Sequence, residues 1–234
     1  MPTPTIHITC SEEFTLLCPD FRVGVIEMTI NPKAPSPQLE SSISETIEWV
    51  RRSYDLASWR ERSTIAATRR AYKRCGKDPN RYRPAADQLG RRIINALGLY
   101  RVHAVVDWGN LLSLRSGYSM GLFDRGHISG ESVELRLGRA SDEYEGIGRG
   151  LLNIDRMPVY CDALGPFATP TSDSLRTCLG EQSKEILIFV NDFTGQPSRL
   201  EETLEEVHLS ADQHFEVKAY SSTIVCPGER DTHY

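Results

Sequence analysis

The 234-residue sequence has no apolar run approaching the roughly 18 residues that a membrane-spanning helix needs, so a soluble chain is expected. In Met1-Pro2-Thr3-Pro4-Thr5 no basic residue precedes an apolar stretch, which argues against a secretory leader. The six cysteines (Cys10, Cys18, Cys75, Cys161, Cys178 and Cys226) form no C-x-x-C pair. They read as reduced, mostly buried thiols of a cytoplasmic protein. The histidines show no H-x-x-x-H or H-E-x-x-H spacing, so neither a metal nor any other cofactor is expected. No His stands near a candidate Ser or Cys in the motif blocks quoted below. Repeats and low-complexity tracts are missing too. Lysine is scarce, 5 residues against 22 arginines. Genome composition explains such a ratio as readily as function does, but it does not explain clustering.

What is present is unevenly distributed. The net charge is −5, yet residues 51–101 hold 14 Lys/Arg and 4 Asp/Glu, and the rest of the chain carries −15. A polyanion is the natural partner of such a segment. The candidate RNA-binding residues are Arg69, Arg70, Lys73, Arg74, Arg81, Tyr82, Arg83, Arg91 and Arg92. Arginines can track phosphates while an interleaved tyrosine stacks on a base. The alternative is a solvated helix face, partly paired with acids of the body.

Periodicity gives the coarse layout. Phe21–Ile30 reads as a strand, stopped by the connector Asn31-Pro32-Lys33-Ala34-Pro35-Ser36-Pro37. Helices are expected around Ile43–Val50, through Ile65–Cys75 with Gly76 as its stop, and from Pro84 to Gly98. The third would bury Leu89, Ile93, Ala96 and Leu97. Val102–Val106 reads as a strand and Asn110–Ser116 as a short helix closed by Gly117. Val133, Leu135 and Leu137 alternate with polar residues, as in a half-buried strand. Pro158–Cys161, Ile186–Phe193 and Phe215–Val225 are further strands, and Arg199–His208 is an acidic helix. The expected fold class is α+β: a mixed sheet or barrel-like core flanked by helices, with a helical basic lead-in. One domain is expected over 1–234, its helical basic segment spanning 31–100 and its β-rich body 101–226.

Val106-Asp107-Trp108-Gly109-Asn110, followed by Gly121-Leu122-Phe123-Asp124, is a distinctive pair of blocks. It resembles the B-three/four editing domain of the bacterial phenylalanyl-tRNA synthetase beta subunit, which reads V-D-x-T-N and, eleven residues on, H-x-F-D. Val133-Glu134-Leu135-Arg136, Leu152-Asn153-Ile154-Asp155 with Pro158, and Cys161-Asp162-Ala163-Leu164-Gly165 continue the resemblance without gaps. Asp173-Ser174-Leu175-Arg176-Thr177 matches a downstream D-x-x-x-T. The likeness covers roughly residues 102–190, and residues 69–97 look like the lead-in of free-standing members. The family's Thr is Gly109 here, its His is Gly121, and its second turn glycine is Phe167.

The resemblance implies a free-standing hydrolase that cleaves the ester of a mischarged aminoacyl-tRNA. A positioned water and oxyanion donors suffice for so activated an ester. Asn110 and Gly165 are the candidate catalytic residues, Asn110 orienting and Gly165 offering backbone N–H. As alternatives, Asn110 would cap a helix and the acids would cap or brace turns. Gly109, Gly121, Asp124, Asp162, Ala163, Asp173, Arg176 and Thr177 are the candidate substrate-binding residues. The lost His and the retained Asp162 point to a guanidinium-like amino acid. Canavanyl-tRNA(Arg), a substrate of some free-standing members, is the best match. A tRNA-binding module without catalysis is the alternative. The expected partner is mischarged tRNA, with no membrane, and the expected state a monomer or weak homodimer.

Overall fold

A computed structural model describes residues 3–31 and 36–226. The architecture follows from one strand that is apolar on both faces. In β9 (Glu185–Asp192), Leu187 and Phe189 point to one side while Ile186, Ile188 and Val190 point to the other, and all five are buried. A strand of this kind belongs in the middle of a sheet covered on both sides. It lies between β2 (Arg22–Asn31) and β3 (Ser119–Asp124), with β10 (Glu216–Val225) completing the antiparallel order β10-β2-β9-β3.

The second sheet packs on the Phe189 face. It contains β1 (His7–Cys10), β4 (Ser132–Leu137), β7 (Pro158–Asp162) and β8 (Gly165–Ala168), with β1 parallel to β4 and the other pairs antiparallel. Phe123 and Phe167 meet edge to face across the gap, with centroids 5.3 Å apart. The opposite face of the first sheet is covered by α2 (Pro37–Ser53), α6 (Ala104–Ser116) and α7 (Pro197–His214), through Leu39, Ile43, Trp108, Leu111, Leu200 and Val207. The protein is thus α+β, as expected. Its two four-stranded sheets stay open, which removes the barrel-like alternative. Among the described residues no helix is long and apolar enough to cross a membrane.

The basic lead-in is helical: α3 (Leu56–Glu61), α4 (Ser63–Arg74) and α5 (Ala85–Ile94). Gly76 ends α4 with a positive φ of 86°, as a C′ glycine does. Helix α5 packs so tightly on Trp59 that a Cβ at Gly90 would fall 1.9 Å from the indole Cε2. Trp59 is fully buried and donates its Nε1–H to the Ala86 carbonyl, so it cannot give way. Gly90→Ala is therefore expected to cost about 3 kcal/mol, the upper end of overpacking penalties. A denaturant midpoint close to that of the parent would count against this packing.

Several expectations change. Val102–Val106 is not a strand. Asp107 accepts from the Val102 N–H at 3.0 Å and from Arg101 Nε at 2.9 Å, and this bracing starts α6 at Ala104 despite the β-branched run. The third lead-in helix ends at Ile94, not Gly98: Ala96 has φ 58° and Leu97 is exposed. Only half of the cysteines are buried: Cys18, Cys75 and Cys161 are, while Cys10, Cys178 and Cys226 are partly accessible. The proline-rich connector falls largely at 32–35, outside the described residues. Its last proline opens α2, whose cap is the Ser36 hydroxyl accepting from Leu39 N–H.

Candidate functional site

Helix α6 carries the first block onto β3. Trp108 is buried and donates to the Ser210 hydroxyl at 2.9 Å. Gly109 lets the helix descend onto Leu122, since a Cβ there would stand 2.6 Å from Leu122 Cδ2. Asn110 follows in mid-helix, six residues after the start, so it is not a cap; it lines a cleft.

The neighbouring strand brings Gly121 against Asp173. A Cβ at Gly121 would lie 3.2 Å from Asp173 Oδ1 and 2.4 Å from Phe123 Cζ. The glycine is therefore what lets the Phe123 ring pack beside the Asp173 carboxyl, and neither Gly121 nor Asp173 lines the Asn110 cleft. Asp173 Oδ2 accepts one long hydrogen bond, 3.4 Å, from the Leu122 N–H. Burial with so little compensation pushes its carboxyl up to about 8. The Asp173 carbonyl accepts from Ile147 N–H, which ties it to the hairpin of β5 (Glu145–Gly146) and β6 (Gly150–Leu151).

Asp162 and Arg176 are joined to each other. The guanidinium donates to both carboxylate oxygens at 2.9 and 2.8 Å, and reaches the Gly165 and His127 carbonyls at 3.3 Å. Ser129 and Leu164 N–H complete the shell around Asp162. These donors hold its carboxyl below the usual range against the opposing effect of burial. With both oxygens taken, Asp162 offers no free carboxylate to a cationic amino acid. Ala163 is exposed in the same turn, and Gly165 has φ 113° with open space around it. Gly165 does not line the Asn110 cleft. Asp124 caps its own turn by accepting from Gly126 N–H and the Ser183 hydroxyl. Thr177 is buried and donates weakly to the Phe167 carbonyl. Arg136 is likewise committed, bidentate to Asp142. Cys161 is buried and its thiol is pushed up to about 11, which suits packing rather than attack.

The cleft shared by Asn110 has a volume of about 830 Å³. Arg83, Arg91, Arg92, Arg101 and Arg149 line it, and exposed Leu97, Tyr100, Val102 and Ile147 form its apolar part. Arg101 is neutralised by Glu40 and Asp107. Arg92 covers one face of the Tyr100 ring at 3.7 Å and donates to the Gly98 carbonyl. Arg149 is bonded to Gln88 Oε1. Ile147 is the link between this cleft and Asp173. The rest of the basic segment divides. Arg70, Lys73, Arg74 and Arg81 are exposed on the outer surface. Arg69 is held by buried Asp87, by the Pro79 carbonyl and by Asn80, so its fork is occupied. Tyr82 is packed under Lys77 Nζ, 4.1 Å from its ring centre. No group of three or more potential metal ligands occurs among the described residues.

The model of the B3/4 domain matches residues 67–218, from α4 to β10. The chain belongs to the B3/4 domain family. Among curated proteins none matches the sequence. A solved N-terminal fragment of the phenylalanyl-tRNA synthetase beta subunit from Pyrococcus horikoshii is similar to 95% of this chain at 10% identity, with a TM-score of 0.49. The chain spans 55% of the length of that fragment.

In this B3/4 chain three cleft residues carry no role in the sequence patterns: Tyr100, Ile147 and Arg149. The signals were modest: Tyr100 stands two residues after Gly98 in a loop, and Ile147 and Arg149 sit in the glycine-rich stretch Gly146-Ile147-Gly148-Arg149-Gly150. A hairpin that short cannot bury its side chains, so those two had to be exposed.

Proposed function

We propose that this B3/4 chain is a trans-editing hydrolase: it removes a wrong amino acid from tRNA, and canavanyl-tRNA(Arg) is the substrate that best suits the site. The observation that carries this reading is the Asp173 carboxyl, which has no charged partner, lies beside Gly121 and is tied through its backbone to Ile147 on the wall of the arginine-lined cleft. Arginyl-tRNA(Arg) is the correct product and has to survive. A carboxyl kept neutral by burial forms no ion pair with arginine, whose guanidinium never loses its proton. Canavanine has an oxygen in place of a methylene, which lowers the basicity of the adjacent guanidine. Its neutral form exchanges hydrogen bonds with a neutral carboxyl at no charge penalty. Selectivity of this kind goes beyond what one missing methylene provides.

The hydrolysis itself needs little machinery. A water oxygen bonds to the ester carbonyl carbon, the bond to the ribose oxygen breaks, and the ribose oxygen takes the proton. Asn110 is the side chain on the cleft wall able to orient that water or the carbonyl. The protein would act in the cytoplasm as a monomer or weak homodimer. The test is a panel of mischarged tRNAs with purified protein. Canavanyl-tRNA(Arg) should be cleaved and arginyl-tRNA(Arg) spared, and Asn110→Ala should lower the rate at least tenfold. Cleavage of another mischarged tRNA in preference removes the substrate assignment. Tight binding with no cleavage of any member favours a non-catalytic tRNA-binding module.

A further inference from the structure

A second cleft, of about 760 Å³, opens between the end of α6 and the start of α7, and none of its lining residues is shared with the Asn110 cleft. Arg115 and Arg199 line it together with Glu202 and Glu206. Opposite charges in one small volume attract even through water. Yet among the described residues no ion pair joins either arginine to either glutamate, and the two carboxylates accept no hydrogen bond. The guanidinium groups are anchored on neutral partners instead. Arg115 donates its Nε–H to the Thr46 hydroxyl at 3.1 Å, which leaves its two amino groups uncommitted. Arg199 donates to the Ser63 hydroxyl at 2.9 Å and to the Ser116 carbonyl at 3.5 Å. The first turn of α7 adds further donors. Gln196 supplies no side-chain cap and Pro197 opens the helix, so the Ser198 and Arg199 N–H groups have no side-chain acceptor. Beneath the cleft lie two fully buried polar groups, the Tyr118 hydroxyl and Asp192 Oδ2, and neither has a hydrogen-bond partner. Tyr118 stands two residues after Ser116, and Asp192 three before Gly195, both on the cleft wall. Arg199 and Glu202 are among the charges that act on the Tyr118 hydroxyl, and Arg199 also acts on Asp192. Buried donors and acceptors are normally satisfied, so the floor holds polar capacity that the chain itself does not use.

We propose that this cleft binds a free basic amino acid, at a site separate from the one that holds the tRNA ester. The carboxylate sits on Arg115, Arg199 and the open N–H groups at the start of α7, where the helix dipole also favours an anion. The ammonium sits on Glu202 and Glu206, one helical turn apart along α7. A simple anion uses only half of this arrangement, and a polyanion such as RNA is repelled by the two glutamates. The side chain extends into an adjoining hollow of about 410 Å³, which shares Arg115 and Glu206 and adds Glu45 and Trp49. Trp49 is 37% exposed, so part of its indole is open to a ligand. A cationic side chain can use an exposed indole and a carboxylate together, whereas an acidic one would meet Glu45 and Glu206.

The experiment is equilibrium dialysis of the full chain against radiolabelled L-arginine. The competitors are agmatine, which lacks the carboxylate, 5-guanidinopentanoate, which lacks the ammonium, and L-norvaline, which lacks the guanidinium. Each should bind more weakly than L-arginine by roughly tenfold or more. Glu202→Gln with Glu206→Gln, on the exposed side of α7, should weaken L-arginine by a similar factor and leave 5-guanidinopentanoate unchanged. Arg115→Gln should weaken L-arginine and leave agmatine unchanged. Trp49→Leu should narrow the gap between L-arginine and L-norvaline. Asn110→Ala and Asp173→Asn, in the region assigned to the ester, should leave the affinity as it is. No binding of L-arginine by the parent at millimolar concentration would overturn the proposal. So would competition by agmatine or L-norvaline equal to that of L-arginine. An affinity lost in Asn110→Ala but kept in the glutamate variant would place the amino acid in the other cleft and also overturn it. Since no RNA is present, failure to cleave any mischarged tRNA removes the hydrolase without touching these measurements.

Discussion

Asp173→Asn is expected to abolish the pH dependence of selectivity while leaving the protein more stable. In the parent the carboxyl is neutral below about pH 8 and ionised above it. Discrimination of canavanyl- over arginyl-tRNA(Arg) should therefore be greatest near pH 7. It should fall roughly tenfold as the pH passes 8, because the carboxylate then pairs with the arginine cation. The amide is neutral throughout, so the variant should show a flat ratio of the two rate constants. Spontaneous ester hydrolysis rises with pH for both substrates and is subtracted from each rate before the ratio is taken. The stability effect has its own sign. The folded carboxyl holds its proton more tightly than the ordinary value of 3.8, so the native state loses stability as the pH rises from there to about 8. The asparagine carries no such cost. At pH 8 the variant should be more stable, on the order of 2 kcal/mol after allowance for the partly accessible residue. A parent and variant with the same pH-invariant selectivity would remove Asp173 from recognition.

The second large effect concerns Asp87. Replacing it by asparagine removes the one carboxylate from among Arg60, Arg69, Arg83 and Arg91. Breaking a buried pair in this way typically costs about 3–5 kcal/mol, because the remaining cation is left uncompensated. The denaturant midpoint should fall accordingly. RNA affinity should move in the opposite direction, rising severalfold at low salt as the cleft becomes more positive. A purely structural Asp87 predicts the loss of stability without the gain in binding. That outcome would detach the arginine cluster from any anionic ligand.

The sequence announced the strands at 21–30, 133–137 and 186–193 because their apolar pattern is set by burial. It also announced α4, since Gly76 and Asp78-Pro79 close it unambiguously. Residues 102–106 misled because β-branched side chains speak for a strand, whereas Asp107 determines the outcome through donors on Arg101 and Val102. Short elements with little periodicity, such as α3 and β8, gave no signal of their own. At the site, the gapless blocks led to Gly121 and Asp173. A network of Arg176 with Asp162 or Asp173 was legible in the sequence, but no pattern in one dimension could decide that Asp162 is the one claimed and that Asp173 is left without a charged partner. Nor could charge density along the chain separate outward arginines from those held inward around Asp87.

The composition of the cleft has a further consequence. Its cations are all guanidinium groups, and no lysine is among the residues that line it. Acetylation has nothing to neutralise there, and no proton leaves the docking groups in the physiological range. Grip would then respond to ionic strength alone, and the choice of cargo to acidity alone. Two knobs in the test tube would read out two halves of one reaction independently.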